Sequence, residues 1–266
     1  MKYLQLVICV LLVSIALVVT TGCPRRQLRA GDTREFDGME FVWIPAGTFT
    51  MGSPESEVGS ESDETQHEVT LSSGFWLGKY EVTQAQWESV MGSNPSTDVG
   101  PNKPVHYVGW DNAQSFISAL NGSTDGSGGG VYGLPSEAQW EFAYRAGSST
   151  RFYWGEDAAE TEIDDYAWYY LNSNFKPHPV GNKLPNDWGL YDMAGNVFEW
   201  CADWYGDYPA GPIIDPSGAP SGSEWVIRGG SRMDYPDACR AANRDYSEDA
   251  DGGSAIVGIR LMRTPD

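Results

Sequence analysis

Three segments of the chain share one start signal and one spacing of apolar residues. At Thr83, Asp111 and Ser136 a side-chain oxygen is followed three residues later by a glutamine, Gln86, Gln114 and Gln139. That reciprocal arrangement can close the first turn of a helix. Behind each start, apolar residues return every three or four positions: Trp87, Val90 and Met91; Phe116, Ile117 and Leu120; Trp140, Ala143 and Tyr144. The period predicts three short helices of about ten residues, each burying one face. Gly92, Gly122 and Gly147 stand where they should stop, since glycine enters the left-handed turn without steric cost. Elsewhere the period is two. Residues 41–44 (FVWI) and 48–51 (TFTM) read as strands joined through Pro45, Ala46 and Gly47, which suggests a hairpin. Residues 54–66 carry Glu55, Glu57, Glu61, Asp63 and Glu64 among Gly and Ser, and predict a solvated acidic loop. Residues 121–130 (NGSTDGSGGG) read as a connector, because no Lys-Ser or Lys-Thr follows to make a phosphate loop. Past Gly147 the chain is rich in Tyr, Trp, Asn, Gly and Pro, so loops on a small sheet are expected there.

The amino terminus obeys neither period. One charge, Lys2, precedes an uncharged run over residues 4–21 that ends in Gly22-Cys23. This reads as an export signal over residues 1–22 with a lipoprotein cleavage site, Cys23 being the lipidated residue. An uncleaved membrane anchor is the other reading of such a run. Residues 23–36, with four arginines and little apolar content, read as a tether, and residues 37–264 as a single domain without a composition break. The expected place is the cell envelope, anchored by lipid at the outer membrane or cell surface.

Composition narrows the function. The 41% hydrophobic content, with 9 Phe, 11 Trp and 14 Tyr, excludes a disordered chain, because that much bulky apolar surface offsets ordering entropy. The formal charge of 17 − 37 = −20 argues against nucleic acid as a partner, since that binding rests on Lys and Arg neutralising phosphates. Of four cysteines, Cys9 leaves with the signal and Cys23 takes the lipid. In an oxidising compartment the remaining Cys201 and Cys239 read as a disulfide, with two buried free thiols as the alternative. His67, His106 and His178 are isolated and lack metal-ligand spacing. Neither Gly-x-Ser-x-Gly nor His-Glu-x-x-His occurs, so hydrolase chemistry has no anchor.

Residues 41–53 (FVWIPAGTFTMGS), 79–87 (KYEVTQAQW), 134–147 (LPSEAQWEFAYRAG), 186–200 (NDWGLYDMAGNVFEW) and 227–231 (IRGGS), closed by Gly258-Ile259-Arg260, resemble the formylglycine-generating enzyme, or sulfatase-modifying factor, family. They run in the family's order across nearly the whole mature chain. The resemblance implies an α+β, C-type-lectin-like fold, irregular and loop-rich, with small sheets and three short helices. Enzymes of the family hold copper between two cysteines placed three and eight positions after the Gly-Gly-Ser serine. Those positions are here Asp234 and Cys239. A carboxylate is a hard ligand unsuited to thiolate copper(I), so copper is not expected. The family's Asn before the closing Gly-Phe-Arg is Ile256, and its Phe is Ile259.

The resemblance also places a calcium stretch on residues 192–199, with carboxylates from Asp192 and Glu199 and backbone carbonyls from Gly195 and Val197. The alternative is a tight glycine turn whose acids accept backbone hydrogen bonds. Residues 232–256 lie between two glycine-rich frames and mix Cys239, Arg240, Ala241, Ala242 and Arg244 with small, acidic and Tyr residues of no period. Such a loop surface on a fixed scaffold suits recognition. Retroelement-diversified, Treponema-type variable lipoproteins share the scaffold and vary in this stretch. By that likeness the ligand surface comprises Met233, Asp234, Tyr235, Asp237, Asp245, Tyr246, Ser247, Asp249, Gly252, Gly253, Ser254 and Ile256. The leading expectation is a surface-displayed protein that binds a protein or glycan, with a sulfatase-modifying oxidase or a structural envelope lipoprotein as alternatives.

Overall fold

The computed structural model describes residues 27–123, 129–248 and 250–266. The leader with Cys23, and Asp249, lie outside the described residues. No helix among the described residues is long and apolar enough to cross a membrane.

Strand β1 (Thr33–Phe36) runs antiparallel to β2 (Met39–Ile44), with Phe36 opposite Met39. The tether expected over 23–36 therefore gives way to structure at Thr33. Phe36 packs edge-on against Phe41 and Trp76, at ring separations of 5.6 and 5.5 Å, and Arg34 lies over the Trp76 ring. Pairing along β2 needs no apolar run of its own, which is why the arginines disguised it.

The hairpin expected between residues 41–44 and 48–51 does not form. β2 has both edges occupied, by β1 and by β5 (Phe75–Gly78), so β3 (Gly47–Met51) pairs instead with β4 (His67–Leu71). Helix α1 (Gln84–Met91) has the reciprocal Thr83–Gln86 cap and ends in left-handed Gly92, as its sequence predicts. Helix α2 (Trp110–Ser123) begins earlier than expected and is longer. Asn112 accepts the Gly109 N–H at 3.1 Å, so Asp111 sits inside the first turn, and Gly122 lies within the helix. After β6 (Tyr132–Gly133), α3 (Glu137–Arg145) shows the Ser136–Gln139 cap, but its left-handed residue is Ala146, one position before Gly147. A fourth, one-turn helix α4 (Ile163–Tyr166) carried no signal in the sequence.

The second half supplies β7 (Phe198–Trp204), β8 (Ile213–Ile214), β9 (Trp225–Arg228), a 3₁₀ turn at Pro236–Cys239, β10 (Asp245–Ser247), β11 (Val257–Gly258) and β12 (Met262–Arg263). Three small sheets result, ordered β1-β2-β5-β12-β6, β10-β9-β7-β11 and β3-β4-β8. β12 is held between β5 and β6, so the last residues lock the first sheet. Two buried clusters fill the space between the sheets and helices. One centres on α3 with Trp140, Phe142 and Tyr144, the other on α1 and α2 with Trp87, Phe116 and Trp200. The fold is α+β.

Candidate ligand-binding site

The β9 strand enters Gly229-Gly230-Ser231, then the 3₁₀ turn, then a buried run from Cys239 to Arg244, before β10 returns to pair with β9. Three arginines in or beneath this path are fully or nearly fully buried, and each has a carboxylate. Arg240 forms a two-point pair with Glu64, at 2.8 and 2.6 Å, and a further bond to Glu57 at 3.0 Å. Arg244 grips Glu137 at 2.7 and 3.0 Å. Arg228 bonds Glu141 and the carbonyls of Ala241, Ala242 and Asn243. A buried guanidinium without such partners would face a desolvation cost of several kcal/mol, so these contacts fix the backbone between them.

The acidic loop is thus not wholly solvated: Glu64 is 1% exposed and serves as the counterion of Arg240. It packs over the segment and completes a groove of about 530 Å³. Glu61, Ser62 and Asp63 form one wall, with Tyr205, and Asp234, Tyr235, Asp237, Asp245 and Tyr246 form the other. Five carboxylates line it. Arg244, which also lines it, is engaged by Glu137 and stands 3.9 Å from Asp63, and Arg151 pairs with Asp237, so the negative field toward solvent comes from Glu61, Asp234 and Asp245. Tyr235 and Tyr246 are 58% and 46% exposed. Asp237 holds the otherwise buried Arg151, and Asp63 accepts from the Tyr205 hydroxyl.

The groove gathers only part of the surface expected from sequence. Met233 is exposed at its margin and Ser247 ends β10. Gly252, Gly253, Ser254 and Ile256 do not line it: Gly252 is exposed with open space around it, and the other three meet the framework. A Cβ on Gly253, at φ +66, would stand 2.3 Å from the Tyr107 carbonyl carbon, so this glycine is a packing position. The Ser254 carbonyl accepts the Tyr107 N–H, and the Ile256 carbonyl accepts that of Phe198. Lack of period in the sequence could not separate these framework roles from exposed ones.

Residues 27–265 match the model of the sulfatase-modifying factor enzyme 1-like domain. The chain belongs to that family. It is 32% identical to the chaperone protein LppX of Paenibacillus barcinonensis over 88% of this chain and 92% of that protein. It is 32% identical to the formylglycine-generating enzyme of Streptomyces coelicolor over 72% of this chain, and spans 62% of that enzyme's length. Among solved structures, Treponema denticola variable protein 1 superimposes with a TM-score of 0.77 at 31% identity, covering 88% of this chain and 99% of that one. PvdO from Pseudomonas aeruginosa gives 0.79 at 30% identity, covering 89% and 99%.

Within the sulfatase-modifying scaffold, the residues at the copper position do not fit the metal. Asp234 accepts the Ser231 N–H and hydroxyl, at 3.1 and 2.5 Å. Cys239 is fully buried, and burial pushes its thiol upward. Asp234 stands where a second sulfur is needed, and Cys201 and Cys239 are not bonded to each other. Both are free thiols, so the expected disulfide is not present. Cys201 lies on β7 and Cys239 in the 3₁₀ turn against Gly230, both buried in the cluster that centres on α3.

The calcium stretch has also found protein partners. Both Glu199 oxygens are held by Arg260, at 2.7 to 3.0 Å, and one also by the Trp140 indole at 2.7 Å. Asp192 accepts the Gly181 N–H at 2.6 Å, leaving Oδ1 as its one oxygen without a donor. Burial lifts the Asp192 carboxyl to about 6. Gly195 packs against the Trp168 carbonyl, and the Val197 N–H goes to Glu81. The acids behave as hydrogen-bond acceptors in a glycine turn, and Arg260 supplies the positive charge; this donor set does not fit a calcium ion. The three histidines are packed rings: His67 on Tyr208, His106 buried beside Tyr107, and His178 stacked on Trp168 at 3.7 Å.

Proposed function

We propose that the protein is an extracytoplasmic ligand-binding protein, lipid-anchored through Cys23 at the envelope surface, with its binding site in the groove between the acidic loop and the 234–246 segment. The carrying observation is convergence: Asp234, Tyr235, Asp237, Asp245 and Tyr246 meet in one groove while the arginines beside them are buried and paired. Exposed Tyr and Asp on a fixed frame give rigid contact area with adaptable hydrogen bonding. The likeness to a variable protein of Treponema denticola supports a recognition surface, and that to a protein named a chaperone supports a protein ligand.

Sequencing this locus across many isolates tests the reading. Substitutions should concentrate at Met233, Tyr235, Asp245 and Tyr246, beside a reverse transcriptase gene and a near-copy of the 3′ stretch differing at adenines. Arg240, Arg244 and Gly253 should stay fixed. Evenly scattered substitutions would overturn the diversified-binder reading. The second reading, an oxidase, is favoured by Cys239 standing at the family's second copper position. Tight stoichiometric copper(I) uptake with oxidation of a cysteine-containing sulfatase peptide would establish it instead.

A further inference from the structure

Beside the groove lies an exposed apolar patch. Phe175 is 53% exposed, Leu171 67% and Met233 41%. Tyr170 joins them, its ring 5.1 Å from Phe175 and 4.8 Å from Tyr235. Tyr235 therefore belongs to both the patch and the groove. The patch is held in shape from beneath. The Tyr170 N–H goes to the Asp234 carbonyl at 2.9 Å, the Ser173 hydroxyl to the Arg232 carbonyl at 2.7 Å, and Arg232 Nε to the Phe175 carbonyl at 3.3 Å. Asn174 and Phe175 both sit in the left-handed region, at φ +54 and +61. A bulky residue in that region costs energy, and here it leaves an aromatic ring facing water.

We propose that this patch and the groove form one docking surface for a protein segment that carries apolar side chains flanked by lysine or arginine. The inference rests on the groove being the ligand site, and extends it across Tyr235 to the 170–175 loop. Charge complementarity selects the partner: of the five carboxylates lining the groove, Asp237 is paired with Arg151 and Asp63 stands 3.9 Å from Arg244, which leaves Glu61, Asp234 and Asp245 to carry the negative field, and the chain carries a formal charge of −20. Lysine and arginine also stack well on exposed tyrosine. The patch selects protein over glycan, because Leu171 and Met233 offer no hydrogen bond to a sugar hydroxyl but give an apolar anchor its contact area.

The test is selection of a displayed library of random dodecapeptides on the purified full-length protein, followed by affinity measurement of the enriched peptides. Enriched sequences should place Leu, Met or an aromatic next to Lys or Arg, and binding should weaken with salt. Two double variants separate the two halves of the surface. Phe175→Asn with Leu171→Ser removes the apolar anchor, Asn being chosen because it tolerates the left-handed backbone. Asp245→Asn with Tyr246→Ala alters the groove. Each should weaken binding about tenfold or more, the usual scale of a central contact, with an unchanged melting temperature. Loss in the groove variant alone would leave the groove as ligand site and overturn its extension to the patch. Loss in neither, peptides without basic residues, or no enrichment together with binding on a glycan array would overturn the proposal.

Discussion

Arg240 and Tyr246 stand a few residues apart in one segment and in opposite surroundings. Arg240 is fully buried and held by Glu57 and Glu64 from the acidic loop, while Tyr246 is 46% exposed on an edge strand with its ring toward Tyr205. The same contrast separates Arg244 from Asp245, which are consecutive. The charged residues that look most suited to bind a ligand are therefore structural. Those that look like loop filler form the surface. Buried ion pairs hold the backbone at Asp234 and Asp245, and exposed positions can change without disturbing it.

The sharpest way to break this division is to remove one partner from the frame. Glu64→Ala leaves Arg240 buried with Glu57 alone, and breaking a buried pair from one side costs about 3–5 kcal/mol. Urea unfolding should show that loss. Replacing Arg240 by Met together with Glu57→Gln and Glu64→Gln should cost less than the single change, since no unpaired buried charge remains. A Glu64→Ala loss below about 1 kcal/mol, the range of exposed pairs, would place the acidic loop back in solvent.

The second largest effect concerns Asp203, buried beneath the same frame and accepting the Glu137 N–H at 2.8 Å. Burial, with Glu137 nearby, raises its carboxyl to about 7. The folded protein then holds a proton that the unfolded chain, near 3.9, has released. Stability from this group is fully present below about pH 4 and is lost as pH rises through about 7. Asp203→Asn keeps the acceptor and removes the charge. It should match the parent near pH 4 and exceed it at pH 8 by about 4 kcal/mol. A constant difference across that range would mean that Asp203 is ionised at low pH and solvated.

How much of this was legible beforehand follows from the kind of signal each part left. The caps at Thr83 and Ser136 are local, and the structure keeps both. The family motifs gave the fold class. The pairing of β3 with β4, the strand at Thr33 and the burial of Glu64 depend on which edges and arginines lie nearby in space, and no local pattern reports that. Glu64 and Glu61 read alike in sequence, yet one is a core counterion and the other lines the groove. Of the ligand surface, the positions around Tyr235 and Tyr246 were legible through composition. The wall given by Tyr205 and the neighbouring patch at Phe175 were not, because both arrive from distant segments.

A smaller effect tests the thiols. Cys239 packs against Gly230 in a buried setting, and Tyr144 donates its hydroxyl to the Cys239 carbonyl at 2.6 Å. Cys239→Ser would place a hydroxyl where nothing has been arranged to bond it, at a cost of about 1–2 kcal/mol. Reducing agent should leave the melting curve of the parent unchanged, and both Cys201 and Cys239 should react with an alkylating reagent only after unfolding. A melting temperature lowered by reductant would restore the disulfide.

The smallest effect belongs to the exposed strip and decides whether the division holds. Met233 is 41% exposed, and Asp245 is exposed on the edge strand β10. Met233→Ser removes little buried area, and Asp245→Asn keeps the oxygen that accepts the Tyr246 N–H. Each change should shift stability by no more than about 0.5 kcal/mol, the range for surface sites. Asp245 lines the groove and Met233 does not, so the double variant should be near the sum of the singles. Unfolding curves of the two single variants and the double variant, run beside Glu64→Ala, make the comparison on one scale. A strip variant costing as much as the frame variant would show that these positions support the fold, and would remove the freedom to vary on which a recognition surface depends.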